Sequence, residues 1–279
     1  MKKPLIYNSD WDPDFPPVMH FIDPGDSLPR PWGVLGNHPY YDAAKNHEDR
    51  AAALRLVVDF LDTPENTAQL KSLPLKFPDA IIVSVHAIES RGKNRIPEML
   101  AEYIGDITGL EVDDDIVQTN RVHRTGSNEI HRFAFRPAFE GNVKENRPYI
   151  LVDDVFAFGG SFNELRLHIE KNGGKAVQTA AMSLGGHGNK IAPEPEVLKN
   201  LVDRHSLDSL SLFLKEIDLY GGNCKALTNP EAYFLGNAPS LDEARDRILK
   251  ARQEGRASLG TERAQENKEI KIKKRGFRR

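Results

Sequence analysis

The chain has few of the residues that form covalent cross-links or membrane-spanning segments. Its 279 residues include one cysteine, Cys224, so an internal disulfide is excluded and no zinc-type cysteine spacing exists. The basic N-terminus does not continue into an apolar stretch of signal-peptide length, and no apolar run approaches the length of a membrane span. We therefore expect a cytoplasmic protein in a reducing compartment, without membrane association.

Common catalytic motifs are absent as well. The sequence has no Walker phosphate loop, no serine nucleophile elbow and no internal repeat, which removes three large classes of enzyme and scaffold. The composition, 39% hydrophobic and 28% charged, is ordinary for a globular protein of enzyme size. The function must therefore be sought in a less common local pattern.

That pattern is the segment YILVDDVFAFGGS, from Tyr149 to Ser161. Its first four residues are apolar, which favours a strand buried on both faces of a parallel sheet. Asp153 and Asp154 follow at the carboxyl end of this strand, and two glycines allow the next stretch of backbone to approach a ligand closely. Ser161 with Glu164 predicts a capping box at the start of a helix. A loop between a strand and a helix N-terminus presents N–H groups to an anion, so we predict a phosphate site beside two carboxylates that bind ribose hydroxyls or magnesium.

This ordered combination resembles the signature of type I phosphoribosyltransferases, which bind phosphoribosyl pyrophosphate (PRPP). The alternative is a tight strand-to-helix turn with a solvated acidic pair. The resemblance implies that Asp153 and Asp154 are catalytic and organise Mg²⁺ as the cofactor, through water. It also implies that the loop binds the 5-phosphate and ribose through Ala157, Phe158, Gly159, Gly160 and Ser161. Family members usually have threonines at the positions of Ala157 and Phe158, so the phosphate here would depend on backbone N–H groups and the Ser161 hydroxyl.

A second polar segment follows another predicted strand, at residues 80–85. It contains Arg91, Lys93 and Arg95 shortly before a predicted helix. Departing pyrophosphate carries several negative charges, so these three cations are candidate pyrophosphate ligands, and Arg91 is also a catalytic candidate. The alternative is a charged loop that caps a surface helix. Residues 126–147 are polar without a clear period, and they form either a loop that closes over the site or a surface hairpin.

The predicted strands and helices alternate with short connections, which indicates an α/β fold with a parallel sheet flanked by helices. The order Arg91-Gly-x-Asn94, Arg121-x-x-Arg124 and then the acidic signature is most similar to the ComF branch of the family. The resemblance implies a hood, built outside the core, that selects the acceptor. We divide the chain into an N-terminal extension or hood (residues 1–77), a phosphoribosyltransferase-like core (78–184), a C-terminal helical extension (185–262) and a basic, disordered tail (263–279).

The main functional hypothesis is a magnesium-dependent phosphoribosyltransferase that transfers the 5-phosphoribosyl group of PRPP to an unknown nitrogenous acceptor. Two alternatives stay open: a non-catalytic PRPP- or nucleotide-binding regulator or conflict-system effector, and a structural adaptor without a phosphorylated ligand. Residues 268–279 carry seven Lys or Arg against one Glu, so this tail is either a nucleic-acid-binding arm or a solubilising terminus. The sequence also leaves a homo-oligomer open.

Overall fold

The computed structural model describes residues 10–22, 33–85, 94–120 and 128–255. Within these ranges the strands are β1 (Met19–His20), β2 (Ile81–Ser84), β3 (Glu111–Asp113), β4 (Val117–Gln118), β5 (Phe139–Glu140), β6 (Pro148–Phe156) and β7 (Lys175–Leu184). The helices are α1 (Gly33–Gly36), α2 (Tyr41–Asn46), α3 (Arg50–Leu61), α4 (Pro64–Lys71), α5 (Leu73–Lys76), α6 (Ile96–Thr108), α7 (Glu129–Ala134), α8 (Gly160–Lys171), α9 (Pro195–His205), α10 (Leu207–Glu216) and α11 (Asn229–Asn237). Residues 241–255 are also helical.

The centre of the fold is a five-stranded sheet in the order β1-β7-β6-β2-β3, and each neighbouring pair is parallel. Parallel neighbours need crossover connections, which α6 and α8 supply after β2 and β6. The predicted α/β fold, a parallel sheet flanked by helices, is confirmed. Because β6 lies between β7 and β2, its carboxyl end is at the middle of the sheet edge, where α/β proteins usually bind ligands.

Side chains alternate between the two faces of the sheet, as a period of two residues requires. On one face, Ile82, Ile150 and Val152 share a buried cluster with apolar residues of α3 and α6. On the other face, Leu151 packs with Phe162 and other residues of α8. Both faces are therefore covered, which explains why β6 begins with a continuous apolar run.

A third buried cluster lies away from the sheet and joins α7 to the C-terminal helices. It contains Phe133 of α7, Phe158 of the loop before α8, and apolar residues of α9, α10 and α11. The described residues from 185 onwards include α9, α10, α11 and the helix at 241–255, and α9, α10 and α11 share this cluster with the loop that follows β6. The division of the chain into four parts stays a prediction.

Two local predictions differ from the structure. β6 is longer than the predicted apolar run and continues to Phe156, because Asp153 pairs with Ala181 of β7 and the ladder goes on beyond it. The acidic pair lies at the carboxyl end of the strand, as predicted, but inside the ladder. In the polar stretch 126–147, the described part contains α7 and strand β5, and β5 pairs antiparallel with β4. In the described ranges, no helix has the length and apolar character that crossing a membrane requires.

Candidate functional site

The acidic pair is the centre of the candidate site. Asp153 is 9% exposed and Asp154 is 6% exposed, so both carboxyl groups are buried near the end of the central strand. Because side chains alternate along a strand, Asp154 is on the same face as Val152, towards α3 and α6, and Asp153 is on the opposite face. The two side chains therefore leave the strand on different faces, although their carboxyl groups also interact with each other.

Asp154 is bound by two side chains from distant parts of the chain. Lys45 of α2 forms an ion pair through Nζ with Oδ2 of Asp154. Asn94, just before α6, donates from Nδ2 to the same Oδ2 at 2.9 Å. The backbone N–H of Arg95 donates to the carbonyl of Ala44 at 3.0 Å, which fixes α2 beside the start of α6. Three segments thus meet at one carboxylate.

The pKa values of the two carboxyl groups move in opposite directions. Burial, together with the neighbouring charge of Asp154, raises the pKa of Asp153 well above its usual range. Burial also opposes the ionisation of Asp154, but the charge of Lys45 and hydrogen bonds from Lys45 and Asn94 outweigh it, so the pKa of Asp154 is lowered. Asp154 consequently loses its proton at lower pH than Asp153 does.

Arg132 of α7 is a cation that the sequence reasoning missed. Burial lowers the pKa of its guanidinium, while the charges of Glu129, Asp153 and Asp154 oppose that shift. Arg132 is therefore close enough to interact electrostatically with both members of the acidic pair. No motif marks this arginine, and its place within a polar stretch without a clear period gave no usable signal.

The loop after β6 leads into α8 in a different way from the prediction. Gly159 is the N-cap residue, with a left-handed φ of 79°, and α8 begins at Gly160 without a side-chain cap. Ser161 lies in the first turn and is buried. Glu164 accepts a hydrogen bond from Nε of Arg136 at 2.9 Å. The predicted capping box is therefore wrong, because Ser161 lies two residues after the N-cap residue, inside the first turn of the helix.

Both glycines leave space for groups of the protein itself. A Cβ at Gly160 would lie 2.5 Å from Nη1 of Arg136, and a Cβ at Gly159 would lie 3.0 Å from Cγ2 of Thr228. Gly159 also has a positive φ that other residues rarely adopt. We predicted that the glycines would let the backbone approach a ligand, and the structure gives them a second role in packing.

Arg136 is the centre of a buried polar network at the start of α8. Besides Glu164, its guanidinium binds the carboxylate of Glu231 and the hydroxyl of Tyr220. Tyr220 also donates to Oε2 of Glu231 at 3.0 Å, and Glu231 is fully buried. Burial would lower the pKa of Arg136, but the charges of Glu231 and Glu164 outweigh it and raise that pKa. The guanidinium therefore stays charged and connects the helix start to α11.

The C-terminal extension also holds the loop backbone directly. Oγ1 of Thr228, the N-cap residue of α11, donates to the carbonyl of Phe158 at 2.8 Å. The Phe158 ring is 1% exposed, and its centroid lies 5.2 Å from that of Phe133 and 6.0 Å from that of Phe234. The ring centroid of His187, an exposed residue after β7, lies 6.1 Å from that of Phe158. Phe158 is thus part of an aromatic core, and a role for it in ligand binding stays a prediction.

The predicted pyrophosphate ligands are only partly described. Arg91 and Lys93 lie outside the described residues. Arg95 is described, and its guanidinium binds Glu98 at 2.8 Å and Glu48 at 3.7 Å. Its positive charge is therefore balanced by carboxylates in this structure, and its role in pyrophosphate binding stays a prediction.

The donors around the acidic pair do not fit a resident magnesium ion. Mg²⁺ requires several oxygen ligands in octahedral geometry. Oδ2 of Asp154 is taken by the ammonium of Lys45 and the amide of Asn94, and Oδ1 of Asp153 accepts the backbone N–H of Asp154 at 2.8 Å. Among the residues that the structure describes, no three histidine, cysteine or acidic side chains are grouped as metal ligands. The described residues around the pair therefore do not form a Mg²⁺ site, and dependence on Mg²⁺ is a prediction that this arrangement does not support.

Two proteins with similar sequences are longer than this chain. No protein-family model matches the chain. Protein TraN of Escherichia coli is 40% identical over 250 residues, which is 90% of this chain and 53% of TraN. An uncharacterised protein of Haemophilus influenzae is 34% identical over 165 residues, which is 58% of this chain and 34% of that protein. The chain thus spans about half of TraN and about a third of the second relative.

Two solved structures with partial likeness to this chain are phosphoribosyltransferases. A purine phosphoribosyltransferase from Pyrococcus horikoshii Ot3 has a TM-score of 0.28, is 16% identical, and matches over 47% of this chain and 72% of its own. Adenine phosphoribosyltransferase from Leishmania tarentolae has a TM-score of 0.29, is 14% identical, and matches over 46% of this chain and 62% of its own. At these TM-scores the likeness carries no structural argument. None of these four proteins is described as a ComF protein, so that finer resemblance stays an expectation.

Proposed function

We propose that the chain binds PRPP at the carboxyl end of β6 and transfers its 5-phosphoribosyl group to a nitrogenous acceptor. The observation that carries this proposal is the buried pair of Asp153 and Asp154 at the middle of the sheet edge, one short loop before the N-terminus of α8. The sequence of this unit resembles the PRPP signature, and its placement suits a ribose bound between carboxylates and a helix start.

Each part of the ligand has a chemical partner in this arrangement. The first turn of α8 offers N–H groups and a positive dipole end to the 5-phosphate. The carboxylate oxygens of Asp153 and Asp154 accept hydrogen bonds from the ribose hydroxyls. Arg132, which interacts with both carboxyl groups, supplies positive charge for the diphosphate. Arg91 and Lys93 are further candidates for that role.

The reaction itself needs few chemical groups from the protein. The bond between C1 of the ribose and the diphosphate oxygen breaks, and its electron pair leaves with pyrophosphate. The acceptor nitrogen forms the new bond to C1 and then releases its proton to solvent. Positive charge develops on the sugar before this bond is complete, so the protein would act mainly by positioning and by electrostatic stabilisation. Magnesium stays a prediction, and no step here depends on it.

The test is an assay for pyrophosphate release from PRPP with a panel of nucleobases. We expect release with one acceptor class, and loss of release in the double variant Asp153→Asn/Asp154→Asn. Asp203→Asn is the matched control, because Asp203 is an exposed aspartate paired with Lys199 in α9. Release that is unchanged in the double variant would remove the acidic pair from the mechanism.

A second candidate is a non-catalytic PRPP- or nucleotide-binding regulator. Two features favour it: the loop lacks the family's threonines, and Thr228 and the aromatic core around Phe158 fix this loop to the C-terminal extension. A loop held in this way is suited to transmit ligand binding to the extension. PRPP binding without pyrophosphate release for any acceptor would favour this candidate, and the absence of any phosphorylated ligand would favour a structural adaptor.

We also propose that the basic tail binds nucleic acid and that the protein forms a homo-oligomer. Residues 268–279 lie outside the described residues, and the proposal of nucleic-acid binding depends on their charge alone. Binding of DNA or RNA that weakens steeply with salt, and that is lost when residues 268–279 are deleted, would support it. Homo-oligomer formation and a cytoplasmic location are likewise predictions for sedimentation and fractionation experiments.

A further inference from the structure

The ammonium of Lys45 lies against the acidic pair, although no motif in the sequence marks it. Its side chain is 19% exposed, and that of Asp154 is 9% exposed, so the ion pair is largely removed from water. Lys45 and Asp154 are 109 positions apart in the chain. A lysine held this deeply against a candidate ribose-binding carboxylate needs an explanation beyond surface charge.

The position of Lys45 follows from the packing of its helix. Ala44, the preceding residue, is fully buried in the cluster formed with α3 and α6. Its carbonyl accepts the backbone N–H of Arg95 at 3.0 Å, and Asn94 binds the same carboxylate oxygen as Lys45. The backbone at Lys45 is therefore held in place by the packing of α2, and its side chain extends from this fixed position to Asp154.

We propose that Lys45 is the internal cation of the acidic pair and takes the position against Asp154 that the family resemblance gives to a divalent metal ion. The proposal rests on the proposed function for the identity of the ligand. A divalent ion bound to Oδ2 of Asp154 would lie beside the ammonium, and the repulsion between two cations in a buried site is strong. The charge of Asp154 is already balanced before any ligand binds. The protein therefore binds a ribose phosphate at this pair without a metal ion.

Lys45 then has a direct role towards the ligand. Its ammonium has three N–H donors, one of which is used by Asp154, so the others are suited to a ribose or phosphate oxygen. The N-terminal part of the chain would thus contribute a ligand-binding residue to the site, in addition to any selection of the acceptor.

The first test uses Mn²⁺ alone as a paramagnetic probe for a divalent site. Free Mn²⁺ is titrated with wild-type protein, Lys45→Met, Lys45→Met/Asp154→Asn and Lys199→Met. Lys199→Met is the matched control, because Lys199 also pairs with an aspartate but at an exposed position in α9. We expect Lys45→Met to bind Mn²⁺ about tenfold or more tightly than wild type, and the added Asp154→Asn to cancel the gain. Lys199→Met should behave as wild type.

Two outcomes would overturn the proposal. One is a wild-type Mn²⁺ site that Asp154→Asn removes, and the other is a folded Lys45→Met protein without any gain in Mn²⁺ affinity. The first outcome is available even if Lys45→Met does not fold, and circular dichroism identifies that case. Lys45→Arg keeps the positive charge and should also show no new Mn²⁺ site.

The second test uses ribose 5-phosphate, because it lacks the diphosphate that binds Mg²⁺ in solution. We expect its affinity for wild-type protein to agree within about twofold in EDTA and in Mg²⁺, and to fall about tenfold or more in Lys45→Met. Binding that requires Mg²⁺ would overturn the role of Lys45. Absence of binding under both conditions would instead count against the proposed function, and the Mn²⁺ titration would still decide the role of Lys45.

Discussion

Asp153 and Asp154 are adjacent in the chain, but their pKa values move in opposite directions because Lys45 and Asn94 bind Asp154 directly. The ammonium of Lys45 and the amide of Asn94 stabilise the ionised form of Asp154. Burial and the neighbouring charge of Asp154 instead disfavour the ionised form of Asp153 and raise its pKa. The two aspartates therefore offer a matched pair of substitutions at one site. Asparagine preserves the shape of each side chain and removes its charge.

We predict that Asp154→Asn destabilises the protein more than Asp153→Asn does. Loss of Asp154 leaves the buried ammonium of Lys45 without its counter-charge, which should lower the free energy of unfolding by roughly 2–4 kcal/mol. Asparagine resembles a protonated aspartate, so Asp153→Asn should cost less or increase stability near neutral pH. Urea unfolding of both variants measures the difference, and equal losses would contradict the assigned charges.

The raised pKa of Asp153 also predicts how stability depends on pH. Because the folded protein binds this proton more tightly than the unfolded chain does, Asp153 stabilises the fold most at pH below its unfolded pKa. That contribution is lost as pH rises through the folded pKa. Asp154 acts in the opposite sense, since its lowered pKa gives stability that is lost only as pH falls through the folded value.

Comparison of wild type with Asp153→Asn isolates the first of these contributions. We expect the stability of Asp153→Asn relative to wild type to increase as the pH rises above the pKa of an aspartate in the unfolded chain, about 3.9. The measurement is urea unfolding of both proteins at a series of pH values above this one. A difference that stays constant with pH would show that Asp153 is ionised in the fold throughout.

For individual residues, the sequence predicted the acidic pair but did not predict that Lys45 and Arg132 lie beside it. A carboxylate pair after an apolar run is visible locally, and so is the alternation that sends Asp153 and Asp154 to different faces. Lys45 and Arg132 are not visible in this way, because they approach the pair through the packing of α2 and α7. Such contacts between distant parts of the chain leave no periodic or spacing signal.

Among the elements, the connection from β6 to α8 was predicted in outline and wrong in detail. The order of strand, glycine loop and helix is correct. The prediction of a capping box was wrong because the N-cap residue is Gly159, two positions before Ser161, and because Glu164 binds Arg136. A local motif could not reveal that a guanidinium from another segment lies against Gly160.

Gly160→Ala tests the packing of that guanidinium. The added methyl group would lie 2.5 Å from Arg136, whose partners Glu164 and Glu231 prevent it from moving freely. We expect a loss of about 1–3 kcal/mol in the free energy of unfolding, as for other overpacked sites. Thermal and urea unfolding give this value.

Gly236→Ala in α11 is the control for the alanine itself. A Cβ there would have its nearest neighbour at 3.8 Å, an ordinary contact. Alanine in place of glycine should therefore stabilise this helix by about 0.5–1 kcal/mol. Similar effects at Gly160 and Gly236 would mean that Arg136 does not restrict the start of α8.

Thr228→Val tests whether α11 positions the loop for its ligand. The substitution keeps the shape of the side chain but removes the hydrogen bond to the carbonyl of Phe158 and the cap of α11. We expect a loss of about 1–3 kcal/mol in stability, and weaker PRPP binding in calorimetry, because the loop backbone loses a fixed contact.

Thr63→Val separates these two effects. Thr63 caps α4 in the same manner, through the backbone N–H of Asn66 at 3.1 Å, but it does not contact the loop. It should lose about 1 kcal/mol of stability and keep its PRPP affinity. Equal affinity in Thr63→Val and Thr228→Val would show that α11 does not influence ligand binding.

For the whole molecule, the alternation of strands and helices was enough to predict a parallel sheet covered on both faces. It was not enough to predict the third cluster, in which α7 and the C-terminal helices enclose Phe158. Hydrophobic periodicity identifies the apolar side of a helix but not the partner against which that side packs. The connection between the extension and the candidate phosphate loop therefore became visible only in three dimensions.

The candidate site is thus built from three parts of the chain. The N-terminal part contributes Lys45, the sheet contributes Asp153 and Asp154, and the C-terminal extension contributes Thr228 and Glu231 around the loop. About half of TraN aligns with this chain, so this unit corresponds to one portion of that longer protein. We propose that phosphoribosyl binding resides in this portion.

Calorimetric titration of the protein with PRPP tests this claim most directly. We expect saturable binding to wild type, loss of binding in Asp153→Asn/Asp154→Asn, and wild-type binding in the exposed control Asp203→Asn. Absence of PRPP binding to the folded wild-type protein, or equal binding to the double variant, would show that the acidic pair is not a PRPP site.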